Sequence, residues 1–422
     1  MAVLILASRA NITNAAAPGP TMRTAIVTRT AVAFLLLTLG ARPAGSQSAP
    51  GDAWPVATPP DVGLSAAVLD SIDAEMRSGR YGYVDRLLVI RHGRLAYDRR
   101  YRHDYDRIYG DSARLAETLR SHDRSGPYNY FNDWWHPYYR RGELHTLQSV
   151  TKTITSIIIG AATTRGDFPS LDTPLLSFFD SGAVANVDDR KRRLTIRHLL
   201  TMTAGLDWDE ARPYGDTLNT AIKLEASYDW VEFAIDRPMA EEPGARFAYN
   251  SGASQILSHV FARATGVDVE EYAAIHVFEP IGIRDWYWKR TPAGVPDTEG
   301  GLYLRAEDLA RLWQLWMLGG EWNGRRIVSE QWVRASVAPA ITVGDPNNGI
   351  RYGYKWWLYP NPLDDQRHVW AGSGFGGQSP IAVPEHDLIL IINAWNILPG
   401  MRSASATGIL ERILRGATEV RR

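Results

Sequence analysis

Strand-forming segments stand near the two ends of this chain and helix-forming segments fill its middle, an order that few folds accommodate. Residues 84–98, VDRLLVIRHGRLAYD, read as two short strands around His92-Gly93, a hairpin signal. Strand-like segments return late, at 352–358 (YGYKWWL), 379–383 and 387–393 (DLILIIN). Between them, from Ser149, Val150, Ile154, Ile157, Ile158 and Ala161 recur at three- and four-residue spacing until Gly166 stops the pattern. Residues 306–318, AEDLARLWQLWML, predict an amphipathic helix with Leu309, Leu312, Trp313 and Trp316 on one face. Acids open its first turn and Gly319-Gly320 ends it. A closing helix is expected over 402–415. The class is therefore α+β: a sheet region from residues 47–145 and 285–422, with a mostly helical region, 146–284, inserted. Residues 102–143, ending YNYFNDWWHPYYRR, read as an irregular aromatic insertion at the surface.

The first 46 residues carry four arginines and no acid, with the apolar run TAVAFLLLTL at 30–39 and Ala44-Gly45-Ser46 after it. That layout predicts a secretory signal peptide over 1–46, with Met22 as an alternative start. Its removal leaves 42 basic and 47 acidic residues, and a periplasmic or secreted protein with no stable membrane span is expected. The near balance of charge makes nucleic acid an unexpected partner. The absence of cysteine excludes disulfides, thiolate metal sites, cysteine nucleophiles and an acylated lipoprotein cysteine.

Several catalytic apparatuses are missing. There is no G-x-S-x-G elbow and no H-E-x-x-H, and the ten histidines are scattered, so no metal is expected. Residues 372–377, GSGFGG, match G-x-G-x-x-G, but QSPIAVP comes next and cannot begin the helix that a dinucleotide site requires. No cofactor is called for. One pattern does carry chemistry. Of 46 basic residues only five are lysine (Lys152, Lys191, Lys223, Lys289 and Lys355), and Lys152 alone has a serine three residues before it, at the start of a helix. Residues three apart on a helix share a face, so the Lys152 amine can reach the Ser149 hydroxyl. The helix N-terminus favours a developing oxyanion. Serine needs an adjacent base, and lysine becomes one when burial depresses its pKa. In PGARFAYNS (243–251) a turn presents Tyr249, whose phenol a neighbouring cation would make a proton shuttle.

With these motifs the chain resembles the serine hydrolases of the class C β-lactamase and penicillin-binding-protein superfamily. HTLQSVTKTITS (145–156) resembles the nucleophile helix. LTIRHLLTMTAGLDW (194–208) resembles the "TIRHLLTHTSGL" block, with Met202 and Ala204 in place of His and Ser. PGARFAYNSGASQILSHVFARATG (243–266) is similar to the Tyr-x-Asn loop and its helix. The segments at 300–333 and 371–396 match two further blocks, so the resemblance covers about residues 85 to 396. It implies a β-lactamase/transpeptidase-like fold, an antiparallel sheet flanked by helices. It also implies roles: Ser149 as acylated nucleophile, Lys152 as its partner and base, Tyr249 as proton-transfer group. The oxyanion hole would combine the backbone amides of Ser149 and of a late-strand residue near Phe375. Ser251, Trp370, Ser373 and Gly374 would line the substrate site.

Two departures bear on the substrate. Tyr249-Asn250-Ser251 has serine where the lactamases have asparagine, and Trp370-Ala371-Gly372-Ser373-Gly374 lacks the Lys-Thr-Gly cation. The nearest arginine, Arg367, lies ahead of it. A substrate without a carboxylate is favoured, and A-G-S-G-F-G-G-Q is closer to the branch of esterases and 6-aminohexanoate-dimer hydrolases. Asp207, Asp209 and Glu210 could face the cleft, where Asp209 would favour a cationic amine on the substrate. The expectation is an exported hydrolase of small-molecule carboxylic esters or linear amides. Its rivals are a penicillin-binding D-Ala-D-Ala carboxypeptidase or β-lactamase, and a non-hydrolytic sensor on the same fold.

Overall fold

The computed structural model describes residues 49–51, 53–114, 143–214, 216–397, 401 and 405–418. The chain divides into two units, Met1–Ser46 and Gln47–Arg422, and the second holds the sheets and helices described. The signal segment at 1–46 and most of the aromatic insertion, residues 115–142, lie outside the described residues.

The hairpin at 84–98 forms as β1 (Val84–Arg91) and β2 (Arg94–Arg100), turning at His92-Gly93. The remaining strands of this sheet all come late: β3 (Ile341–Thr342), β4 (Arg351–Tyr352), β5 (Trp357–Asn361), β6 (Asp364–Ala371), β7 (Ser379–Val383) and β8 (Leu388–Ala394). They assemble in the order β2-β1-β8-β7-β6-β5-β4-β3, every pair antiparallel. The central pairing joins distant sequence: Val84 faces Ala394 and Arg91 faces Leu388. β1 is buried along its whole length because both faces are covered. Leu87 and Val89 point to one layer, Leu88 and Ile90 to the other, the period of two expected of a strand.

Helix α1 (Ala66–Arg77) and helix α5 (Ala406–Arg415) cover the first face with Leu69, Ile72, Met76, Ile409, Leu410 and Ile413. The second face meets α2 (Val150–Arg165), α3 (Ser251–Thr265) and α4 (Ala306–Met317). α4 is the helix its periodicity predicts, and it buries Leu309, Leu312, Trp313 and Trp316. Trp356 stacks on Trp316 with ring centres 5.4 Å apart. α2 is buried on every side from Val150 to Ala162, so it is a core helix rather than an amphipathic one. Two of its hydroxyls reach neighbouring segments: Thr151 Oγ1 accepts from Leu302 N at 3.2 Å, and Thr153 Oγ1 donates to the Lys355 carbonyl at 2.7 Å.

The strand expected over 352–358 is broken. β4 ends at Tyr352 and β5 begins at Trp357, because Lys355 takes a left-handed φ of 64° and turns the chain between them. β6, with its polar sequence DDQRHVWA, is a strand that the sequence does not announce: its first four residues are exposed, so no apolar alternation marks it.

Candidate active site

Ser149 stands immediately before α2, and the chain reaches it through a constrained turn. His145–Thr146 pairs with Leu302–Leu304, Leu147 N donates to Leu302 O at 2.9 Å, and Gln148 adopts a left-handed φ of 48°. A non-glycine residue there costs on the order of 1 kcal/mol and persists where surroundings enforce it. The Ser149 side chain makes no capping bond to its helix, so the hydroxyl is left for other partners. Lys152 Nζ donates to Ser149 Oγ at 2.9 Å, to the Glu299 carbonyl at 2.7 Å and to Glu299 Oε2 at 3.2 Å. All three ammonium hydrogens are thus engaged. Tyr249, at the end of its loop before α3, sets its phenol beside the Ser149 side chain, and its ring centre lies 5.2 Å from Lys152 Nζ. The structure therefore brings Ser149, Lys152 and Tyr249 together.

Their protonation differs from the expectation. Burial alone drives the Lys152 pKa down, but the negative charge around it, on Tyr249 once that phenol ionises and on Glu299 and Glu210, outweighs it and holds the ammonium above a lysine's ordinary value. Burial pushes the Tyr249 phenol up, the Lys152 charge pulls it back, and Glu210 adds to the rise, so the phenol also stays protonated. A depressed lysine and an acidified tyrosine were expected; the resting site holds an ammonium and a neutral phenol. The carboxylates responsible sit on other segments and carry no motif.

The acid that reaches the site from the 207–210 segment is Glu210. Ser251 donates to it twice, from N at 2.8 Å and from Oγ at 2.7 Å, joined by Trp208 Nε1 at 2.8 Å and Tyr214 OH at 2.9 Å. Four donors saturate its two oxygens, so it ties the tyrosine loop in place and has no capacity left for a substrate amine. Asp209, given that role by the sequence, is instead half exposed in an ion pair with Arg212 at 2.7 Å, and Asp207 pairs with Arg237 at 2.6 Å. Ser251 is buried with its hydroxyl committed to Glu210, so it supports the loop and does not face a ligand. Asn250 is the helix cap, accepting from Ala253 N at 2.8 Å.

The glycine segment after β6 forms the opposite wall. Gly374 N donates to Gln378 O at 2.9 Å, and Gln378 Nε2 reaches the Phe375 and Ala394 carbonyls at 3.3 and 2.5 Å. Phe375 consequently lies in a loop between β6 and β7, not on a strand as expected, with its ring edge-on to Tyr214 at 5.2 Å. Gly374 packs directly on the nucleophile turn, where a Cβ would run into the Leu147 carbonyl oxygen. Gly374→Ala should therefore lower kcat for a short ester about 10²-fold, the cost of a displacement near 1 Å, and steady-state kinetics beside a thermal melt would check it. Ser373 is exposed and bonds Tyr359, and Trp370 sits within β6, its ring half buried against the main core. Trp357 stacks between Tyr249 and Tyr359, at 6.0 and 5.7 Å, so the cleft beside the phenol is aromatic.

A second amine enters the neighbourhood. Lys355 is buried, with Nζ 3.0 Å from Ser254 Oγ and 3.3 Å from the sulfur of Met202, the position where the resembling block has histidine. Burial, reinforced by the Lys152 charge, drives its pKa well below the usual value. Burial disfavours its charged form, and the amine is hidden and held by Ser254 and Met202, so it does not replace the missing cation. Arg367 lies inside β6, exposed, with Asp364 and Glu385 as partners.

The β-lactamase family model matches residues 72–413. Among named relatives, the 6-aminohexanoate-dimer hydrolase of Paenarthrobacter ureafaciens is 23% identical over 282 residues, 61% of this chain and 69% of that protein. Esterase EstB of Burkholderia gladioli is 27% identical over 241 residues, 55% of this chain and 53% of the esterase. Over several other relatives the chain spans less than half of their length. The solved structure of EstCE1, described as a hydrolase with promiscuous acyltransferase activity, superimposes with a TM-score of 0.59 at 16% identity, over 83% of this chain and 97% of that one. With the antiparallel sheet, the helix that opens on Ser149-x-x-Lys152 and the tyrosine loop facing it, this chain belongs to the β-lactamase family.

Proposed function

We propose that this protein is a serine hydrolase that cleaves carboxylic esters, and secondarily linear amides, through an acyl-Ser149 intermediate. The observation that carries the reading is the 2.9 Å contact of Lys152 Nζ with Ser149 Oγ, with the Tyr249 phenol beside the same hydroxyl. Such a triangle activates a nucleophile, and binding alone has no use for it. Once the Lys152–Tyr249 pair has lost one proton to solvent, the Ser149 hydroxyl attacks the carbonyl and its proton passes into that pair. Tyr249 returns a proton to the leaving alcohol, and a water enters by the same route in deacylation. The Ser149 amide and an amide beside Phe375 receive the oxyanion.

The substrate class is argued from two features of the cleft. The amine nearest in kind to the family's third-motif cation, Lys355, is buried and held by Ser254, and Glu210 is saturated by its own donors. A neutral acyl and leaving group beside aromatic walls fits both. Residues 1–46 support the further proposal of export to the periplasm or medium; among the described residues no helix is long and apolar enough to cross a membrane.

A panel of p-nitrophenyl esters, linear amides and nitrocefin tests the reading, with fluorophosphonate labelling of Ser149 alongside. Esters turn over fastest and nitrocefin is poor. Nitrocefin turnover equal to the best ester would overturn the argument from the missing cation, and a folded protein that neither labels nor turns over would end the hydrolase reading. The pH profile carries a second expectation. Because Lys152 and Tyr249 are both held protonated above their ordinary ranges, the deprotonated form that accepts the serine proton accumulates only as pH rises. Ester kcat/KM should still climb above about pH 8; a plateau complete by pH 7 would contradict these shifts.

A further inference from the structure

The turn at 297–301 is built around one carboxylate. Asp297 Oδ1 accepts from Glu299 N at 3.0 Å and Gly300 N at 2.9 Å, its carbonyl accepts from Trp288 Nε1 at 2.8 Å, and Lys289 Nζ lies 3.1 Å from Oδ2. Thr298 is tied to α3, donating from N to Gln255 Oε1 at 3.1 Å and from Oγ1 to the Ser254 carbonyl at 2.9 Å. Leu302 N, next along, donates to Thr151 on α2. A turn pinned from three sides presents Glu299 to Lys152 by both its carbonyl and its side chain. Asp297 and Lys289 are both buried, as is Glu299, so the arrangement has little water to loosen it.

We propose that Glu299 is a positioning residue for the acyl-transfer reaction, fixing the aim of the Lys152 amine on Ser149. The inference rests on the hydrolase reading above. Two of Lys152's three acceptors come from this one residue, and the third is the nucleophile itself, so Glu299 determines which way the remaining N–H points. Among the described residues the groups that face the amine are few. Ser149 approaches from its own helix, Tyr249 and Glu210 from the tyrosine loop and the loop before it, and Lys355 from the β4–β5 turn, an amine whose charge burial disfavours. Glu299 is the carboxylate in direct contact, and a carboxylate at 3.2 Å in a buried site favours the ammonium strongly. Removing its charge while keeping its shape leaves the carbonyl contact and lets burial lower the pKa of the amine.

Glu299→Gln in the full chain is the test, with ester kcat and KM measured from pH 5.5 to 10.5. The ascending limb of kcat/KM shifts to lower pH by about one unit or more, and limiting kcat falls about tenfold with KM within about twofold. Glu299→Asp keeps the limb near its original position, a rescue that a space-filling role would not produce. A Gln profile superimposable on the wild type in both position and height overturns the proposal. Should the Gln variant fail to fold, ¹³C NMR of wild-type protein carrying ε-labelled lysine decides, because only five lysines give signals and Lys152→Arg assigns one. The Lys152 signal keeps its ammonium shift to beyond pH 10; titration below about pH 9 overturns the proposal. Fluorophosphonate labelling of the wild type separates the two readings, since an unlabelled Ser149 would sink the hydrolase and leave the Lys152 titration to be judged alone.

Discussion

Ser149→Ala removes ester turnover by about 10⁴-fold or more and leaves the fold standing. The hydroxyl makes no capping bond to α2, so the helix loses nothing with it, and its contacts in the site are to Lys152 and Tyr249. Alanine removes the atom that would be acylated. The two Glu299 contacts continue to hold the Lys152 ammonium, so a new buried, unpaired charge does not appear. Turnover of a p-nitrophenyl ester, mass spectrometry after fluorophosphonate treatment and a thermal melt measure all three parts. Residual activity above about one hundredth of wild type would mean that another group is acylated.

Lys152→Met has a double cost. The unbranched side chain keeps most of the volume, so packing against α3 and the 297–301 turn survives. The charge does not, and the buried ion pair with Glu299 at 3.2 Å is broken, a loss of about 3 kcal/mol in the stability that a denaturant titration measures. Activity falls about 10³-fold as the serine loses its proton acceptor. The double variant Lys152→Met/Glu299→Gln separates the effects: much of the stability returns while activity stays lost. Stability that fails to return would show that the cost lies in packing rather than in the broken ion pair.

The parts of the site legible in the sequence were those carried by local spacing. Ser149 and Lys152 are one helical turn apart, and Tyr249 comes after a turn and before a capped helix. The core strands β1, β7 and β8 were legible because they are apolar on both faces, and α4 because its stripe is narrow and its ends are marked. Glu299 was not legible. It touches Lys152 across 147 residues, through a turn whose acids and glycines look like any surface connection. Glu210 stood out only as one of three neighbouring acids, and the hydrogen-bond donor that singles it out, Ser251, lies 41 residues away on a segment that the sequence gives no reason to join. The charge states differ from expectation for the same reason: an apolar helix announces burial, but the compensating carboxylates come from elsewhere in the fold.

The pairing of β1 with β8 also sets an order of assembly. Residues 84–91 have one edge filled at once by β2, and their other edge must wait for residues 388–394, some three hundred positions later. During synthesis a strand apolar on both faces therefore remains half paired until nearly the whole chain has emerged. Contacts so far apart in sequence carry a large loop-closure cost and slow the search for the native state. The nucleophile helix, packed on the face of that sheet through Val150 and Ile154, acquires its final bed last. Acyl-transfer competence should therefore arrive with the closing strand and not before it, so the nascent chain stays chemically silent until residues 388–394 are made.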